Sequence, residues 1–258
     1  QVIVGRLLQG AQLGNYNVAS QLASLPVGKV MDTVNRVSFP VLSRLRSDAD
    51  KLRSTCQQLL GLFAVYSIGV CWGLAAVAAD FVTVVLGPNW LRAIEVLAIL
   101  AWVAPLRTIC SLHNTMTTAL GTPQAATKEL AVASVITPAA ILIGANGNGL
   151  NGAATAWLVI APLLYSLSAW LTARALQLRL LDTVKPLVIP VACGTIMYGA
   201  VWWLGAALSE RIPAVAVLVL KILLGAATYL VALRIIGPRV VREGLALGRE
   251  LMRPASAT

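Results

Sequence analysis

Residues 22–48 read LASLPVGKVMDTVNRVSFPVLSRLRSD. Apolar residues run through this stretch as through one long helix, yet Lys29, Asp32 and Arg36 stand well inside it. At ~100° per residue the three fall within about 60° of one another. Asp32 follows Lys29 by three positions and precedes Arg36 by four, so it can pair with either cation. One positive charge is then left over. Facing lipid at the bilayer centre, each charge would cost ~2.5–3.5 kcal/mol, so this face of a spanning helix must turn toward protein or water.

Composition places that helix in a membrane. Of 258 residues, 58% are hydrophobic and 12% charged, with a mean hydropathy of +0.81. A soluble domain carries about a quarter charged residues. The net charge of +10 lies between apolar spans rather than in one patch, which argues against a nucleic-acid partner. Cys56, Cys71, Cys110 and Cys193 are scattered singly, with no CxxC or Cys/His cluster. They read as small buried hydrophobes, and no disulfide, metal or other cofactor is expected. The opening QVIVGRLLQG lacks the pattern of a signal peptide and reads as the tail of an earlier helix. The expectation is a piece whose N-terminal part is missing.

A spanning helix needs ~20 mostly apolar residues. Seven stretches qualify, near 14–44, 53–79, 91–119, 125–145, 151–173, 187–208 and 213–236. The breaks carry turn chemistry: LGPNW at 86–90, LGTPQ at 120–124, NGNGLNG at 146–152, the Lys185–Pro186 junction and SERIP at 209–213. Pro105, Pro138, Pro162 and Pro190 predict bends within spans. Lysine and arginine set the orientation. One side collects Arg44, Arg46, Lys51 and Arg53, then Lys128, then Arg174, Arg179 and Lys185, and the C-terminal tail; the other has Arg6, Arg92 and Arg211. The first side is therefore expected to be cytoplasmic, with the C-terminus inside. In the tail, Arg242, Arg249 and Arg253 share one helical face and Val240, Leu247 and Leu251 another, the pattern of a helix lying on an anionic leaflet. The expected organisation is the end of one helix plus five spans over 1–175, two final helices over 176–236, and a basic amphipathic tail over 237–258.

The span 91–119 carries a second polar stripe: Arg107, Ser111, Asn114 and Thr118, just after Pro105. His113 points ~100° away from it and reads as a packing histidine. Lys221 stands mid-span in the last helix, either paired or functional. These groups could serve only to fix packing against the missing half. Arg36 and Arg107, however, outnumber their local anions, and a surplus of buried positive charge suits a water-filled cavity receiving an anionic substrate. Arginine's planar fork fits phosphate oxygens in particular. The candidate substrate-binding residues are Arg36, Arg107, Lys29, Asp32, Ser111, Asn114 and Lys221.

The segment GRLLQGAQLGNYNVASQLASLPVGKVMDTVNRVSFPVLSRLRSD resembles the middle of Wzx/PST-type polysaccharide exporters, lipid-linked oligosaccharide flippases of the MOP superfamily. The pattern is carried by Gly5, Arg6, Leu8, Leu13, Gly14, Tyr16, Pro26, Arg36, Val37, Phe39, Pro40, Leu42, Ser43 and Arg44. It departs at Gln9, where that family usually has Gly. LGPNWLRAIEVLAILA and GLNGAATA are similar to later family segments, so the likeness covers most of residues 1–175. It implies an all-α polytopic membrane protein, with two six-helix lobes and two extra helices around a cavity that opens alternately to each side. By that mapping this chain is the C-terminal lobe, with about seven transmembrane helices. The related lipid II flippases carry an arginine early in the eighth helix, where this chain has Gln21.

The implied function is a flippase turning an undecaprenyl-diphosphate-linked oligosaccharide from the cytoplasmic to the periplasmic leaflet of the bacterial inner membrane, without covalent chemistry. The implied partners are that lipid-linked substrate, membrane lipids and other polysaccharide-assembly membrane proteins. One alternative is a membrane polymerase or ligase using the same donor. Such an enzyme needs acid/base groups at a water interface, whereas the outward loops are short and nearly uncharged. The other is a MATE-like multidrug exporter, for which this cationic half lacks the acidic cavity residues that drug cations favour.

Overall fold

The computed structural model describes residues 10–208 and 213–238. All the regular structure among them is helical. Helix α1 runs Gly10–Arg44, α2 Ala49–Ala76, α3 Ala78–Phe81, α4 Ala93–Ala119, α5 Pro123–Ala175, α6 Leu180–Leu208 and α7 Ala214–Ile236. The basic tail from 239 onward, and residues 1–9 with Arg6, lie outside the described residues.

Local chemistry starts and stops most of these helices where the sequence suggests; the exception is the Lys185–Pro186 junction, which lies inside α6, while the chain turns earlier, at residues 176–179, with Gln177 at φ +53°. The Asp48 carboxylate accepts from the backbone N–H of Lys51 at 3.2 Å and caps α2. A hydrogen bond from the Lys51 ammonium, 2.9 Å away, and then that backbone bond hold the Asp48 carboxyl below its ordinary range. Gly87, at φ +85°, turns the chain after a π-turn over Val82–Leu86. Pro123 opens α5 at a position where its missing N–H is no loss.

The longest element, α5, is a hairpin rather than a rod. Its backbone leaves helical angles at Asn148 and Gly149, the latter at φ +55°. In a straight helix Gly144 and Gly152 would lie ~12 Å apart. Here a β-carbon on either would collide with the other's carbonyl oxygen. The NGNGLNG stretch thus folds the helix back on itself, giving limbs that correspond to the two expected spans.

Among the described residues five helices are long and apolar enough to cross a membrane: α2, α4, the α5 hairpin, α6 and α7 to within a few residues of their ends. The charged stripe sets α1 apart from them. Two polar clasps collect the basic segments at one end of the bundle. Arg46 Nε donates to the Ala119 carbonyl at 2.6 Å and Arg53 Nε to the Leu176 carbonyl at 2.9 Å. Both arginines cover helix C-termini, where carbonyls lack partners and the helix dipole favours a cation. At the other end Asn151, just past the hairpin turn, donates to the Glu95 carboxylate in the first turn of α4.

The core is aliphatic and aromatic. Trp72 of α2 stacks on Trp102 of α4 with centroids 4.0 Å apart, and its Nε1 donates to the Trp102 carbonyl at 3.0 Å. All four cysteines are free and buried. The outer faces of α6 and α7 expose Trp202, Trp203, Leu223 and Ile235, a surface fit for lipid.

Candidate functional site

The site is built where α1, α4 and the second limb of α5 meet. Tyr16 near the start of α1 accepts a hydrogen bond from Trp157 Nε1 at 3.1 Å. The Trp157 ring lies beneath the Arg107 guanidinium, 4.2 Å from centroid to carbon. Further along, Thr115 of α4 donates to Asn35 Oδ1 of α1 at 2.7 Å. These contacts set α1 against α4 and hold Arg107 between them. A helical side chain leans toward its own N-terminus, which carries the guanidinium toward Trp157.

Arg107 borders two adjoining cavities. One, of about 260 Å³, lies between α1 and α4 and is lined by Ser24, Asp32, Asn35, Arg107, Thr108 and Ser111. The other, of about 270 Å³, lies between α4 and α5 and adds Asn114, Glu129, Thr137 and Trp157. Among the described residues Arg107 makes no ion pair. The arrangement offers one fixed guanidinium, several neutral donors and two carboxylates at the margins. That set can hold an anion by hydrogen bonds and charge.

The structure brings Arg107, Ser111 and Asp32 to one groove and places Asn114 on the adjoining wall. Lys29 and Arg36 sit on the exposed face of α1, and neither forms an ion pair with Asp32 among the described residues. Lys221 lies elsewhere. Its ammonium is 2.5 Å from the Asp80 carboxylate, beside an apolar cavity of about 730 Å³ between α2, α6 and α7. His113 is fully buried, 2.7 Å from Ser168 Oγ, as a packing histidine would be.

Sequence reading passed over Trp157, Tyr16 and Glu129. Glu129 sits in the second turn of α5, where it reads as an ordinary acid near a helix start, yet it is 6% exposed. No spacing rule connects these residues to Arg107, because each stands on a different helix or limb.

The polysaccharide biosynthesis protein family matches residues 1–95. Over 202 residues the chain is 26% identical to the teichuronic acid biosynthesis protein TuaB of Bacillus subtilis (strain 168), covering 77% of this chain and 42% of that protein. It is 32% identical over 108 residues to the lipopolysaccharide biosynthesis protein WzxC of Escherichia coli (strain K12), covering 42% of this chain and 22% of that one. The chain thus spans less than half the length of these relatives. In fold it is similar to the lipid II flippase MurJ in an inward closed conformation, with a TM-score of 0.64 at 17% identity, covering 90% of this chain and 48% of that one. The family match contains Lys29, Asp32 and Arg36 and ends before Arg107.

Proposed function

From a chain that resembles the Wzx/PST-type flippases of the MOP superfamily in sequence and in helical fold, we propose a flippase for undecaprenyl-diphosphate-linked oligosaccharide, moving it from the cytoplasmic to the periplasmic leaflet. The chain serves as one lobe, the C-terminal half of a two-lobe transporter whose C-terminus is cytoplasmic. The observation that carries this reading is Arg107, a mid-helix guanidinium without a carboxylate partner, bordering two adjoining cavities. Arg107 grips the diphosphate through charge and its planar fork. Ser111 and Asn114 hydrogen-bond the first sugars, and Asp32 keeps the groove from holding its anion too tightly. Arg36 and Lys29, on the open face of α1, meet the substrate from the side that the second lobe closes. The apolar cavity beside Lys221 takes the lipid chain, with Lys221 as the cation nearest to it. Transport is alternating access, in which the lobes rock about the site and no covalent bond is made.

The test is export per molecule. In a strain lacking the full-length gene, the lipid-linked saccharide is expected to accumulate on the cytoplasmic leaflet. Full-length R107A and R36A should insert normally, while export falls about 10- to 150-fold, as loss of a ~1.5–3 kcal/mol charge-assisted contact requires. Wild-type export by both variants, normalised to inserted protein, would remove the arginines from the site. A polymerase or ligase instead predicts accumulation on the periplasmic leaflet.

A further inference from the structure

Glu129, in the first limb of α5, is 6% exposed, and its Oε2 has no hydrogen-bond partner among the described residues. The Asn114 side chain is within hydrogen-bonding reach of the carboxyl. Glu129 and Arg107 line the same cavity of about 270 Å³. No ion pair joins them, and Glu129 pairs with no other cation among the described residues. The cavity therefore holds a cation without a carboxylate and a carboxylate without a cation.

The other titratable groups facing this space are few. Helix α4 contributes Cys110 beside Arg107; His113, one turn further, stays out of the lining, bonded to Ser168 and packed 5.8 Å from the Tyr165 ring of the second limb. The second limb supplies Trp157, Ala161 and Leu164 to the wall, none of them titratable. Asp32 of α1 lies in the adjoining groove, also bordered by Arg107. Among the described residues lining the cavity, Glu129 is the one carboxylate that an arriving anion must face.

Two negative charges a few ångströms apart in a confined, poorly hydrated space repel strongly, and the usual relief is a proton on one of them. We propose that Glu129 is the proton-linked gate of the anion site at Arg107. An anion enters with Glu129 protonated, so each bound headgroup brings one proton onto the carboxylate, and its departure lets that proton go. The proton comes from water on the side to which the cavity is open, and no bond to the anion forms. Once protonated, the carboxyl also becomes an O–H donor toward the anion. The inference rests on the preceding assignment of Arg107 to the anion. Because binding takes up a proton, affinity rises as pH falls, by up to about tenfold per pH unit for one linked proton.

The test uses the full-length protein in lipid nanodiscs with inorganic sulfate as the probe. Sulfate keeps both its charges from about pH 5 to about pH 8, so any proton uptake belongs to the protein. Titration calorimetry gives the affinity, and pH change in weak buffer gives the proton count. Wild type is expected to bind more tightly on acidification and to take up protons on binding, approaching one per sulfate toward about pH 8. E129Q should bind as tightly at about pH 8 as at about pH 5 with no uptake, whereas E129D should keep the wild-type trend. Sulfate binding by wild type without proton uptake overturns the proposal, even if E129Q fails to fold. So does an E129Q profile that follows wild type. If R107A loses sulfate while E129Q titrates like wild type, only this inference falls. If R107A binds like wild type, or wild type binds no sulfate at about pH 5, the anion site falls with it.

Discussion

Arg107 has no acidic residue at i±3 or i±4, so its own helix cannot neutralise it. The fold sets the face of Trp157 against it instead, 4.2 Å from the guanidinium carbon. A cation over an indole is worth ~0.5–1 kcal/mol when exposed and ~2 when desolvated. W157L should therefore weaken binding of pyrophosphate, a soluble stand-in for the diphosphate, by roughly 2- to 30-fold. W157F, which keeps an aromatic face but loses the bond to Tyr16, should fall between that and wild type. R107K should recover only part of the binding lost in R107A, because an ammonium keeps the charge without the fork. Calorimetric titration of the full-length variants in nanodiscs reads all three. Equal affinities for W157L and wild type would show that the ring only fills space.

At the level of elements, the α5 hairpin is the most demanding piece of local geometry. Gly144 and Gly152 meet backbone to backbone, and neither can carry a side chain without moving a carbonyl of the facing limb. G152A is expected to lose ~1–3 kcal/mol, the usual cost of forcing a methyl into a filled contact. Gly147 has no neighbouring atom within 4 Å and no positive φ, so G147A serves as the neutral comparison. Thermal unfolding of the full-length protein in detergent should show a clear drop for the first and little change for the second. The turn was legible in NGNGLNG, since a cluster of Asn and Gly, unlike a single one, strongly favours a turn over a helix. The contact between Gly144 and Gly152 was not, because it depends on the angle at which the limbs return.

Taken as a whole molecule, the bundle leaves one face of α1 open. Lys29, Asp32, Thr33 and Arg36 are exposed along it. Charges so placed must meet water or another protein surface rather than lipid. Residues 1–258 alone should therefore insert without restoring glycan export in a strain lacking the full-length gene, and restored export would contradict a second lobe. The clasps from Arg46 and Arg53 gather the basic segments at one end of the helices. With the positive-inside bias putting that end in the cytoplasm, S47C in a cysteine-free full-length protein should be shielded from an impermeant thiol reagent in intact cells. N148C should react. The opposite labelling would invert the molecule and the direction of transport with it.

Membrane residence, the apolar spans and the breaks at LGPNW, LGTPQ and NGNGLNG followed from the sequence by itself, because hydropathy, loop charge and turn chemistry act over neighbouring residues; the break expected at Lys185–Pro186 falls inside α6. The polar stripes on α1 and α4 followed too, since helical periodicity alone puts Asp32 near Arg36, and Arg107 on one face with Ser111 and Asn114. Which stripe meets which was decided only by tertiary packing. Lys221 shows this plainly: mid-span position marks it as costly, but its partner Asp80 lies 141 positions away. Trp157 and Glu129 entered the site the same way, from limbs of α5 that no local pattern connects to Arg107. Their roles come from helices crossing around Arg107. Crossing angles depend on the summed shape of many side chains, and that sum has no local signature in the chain.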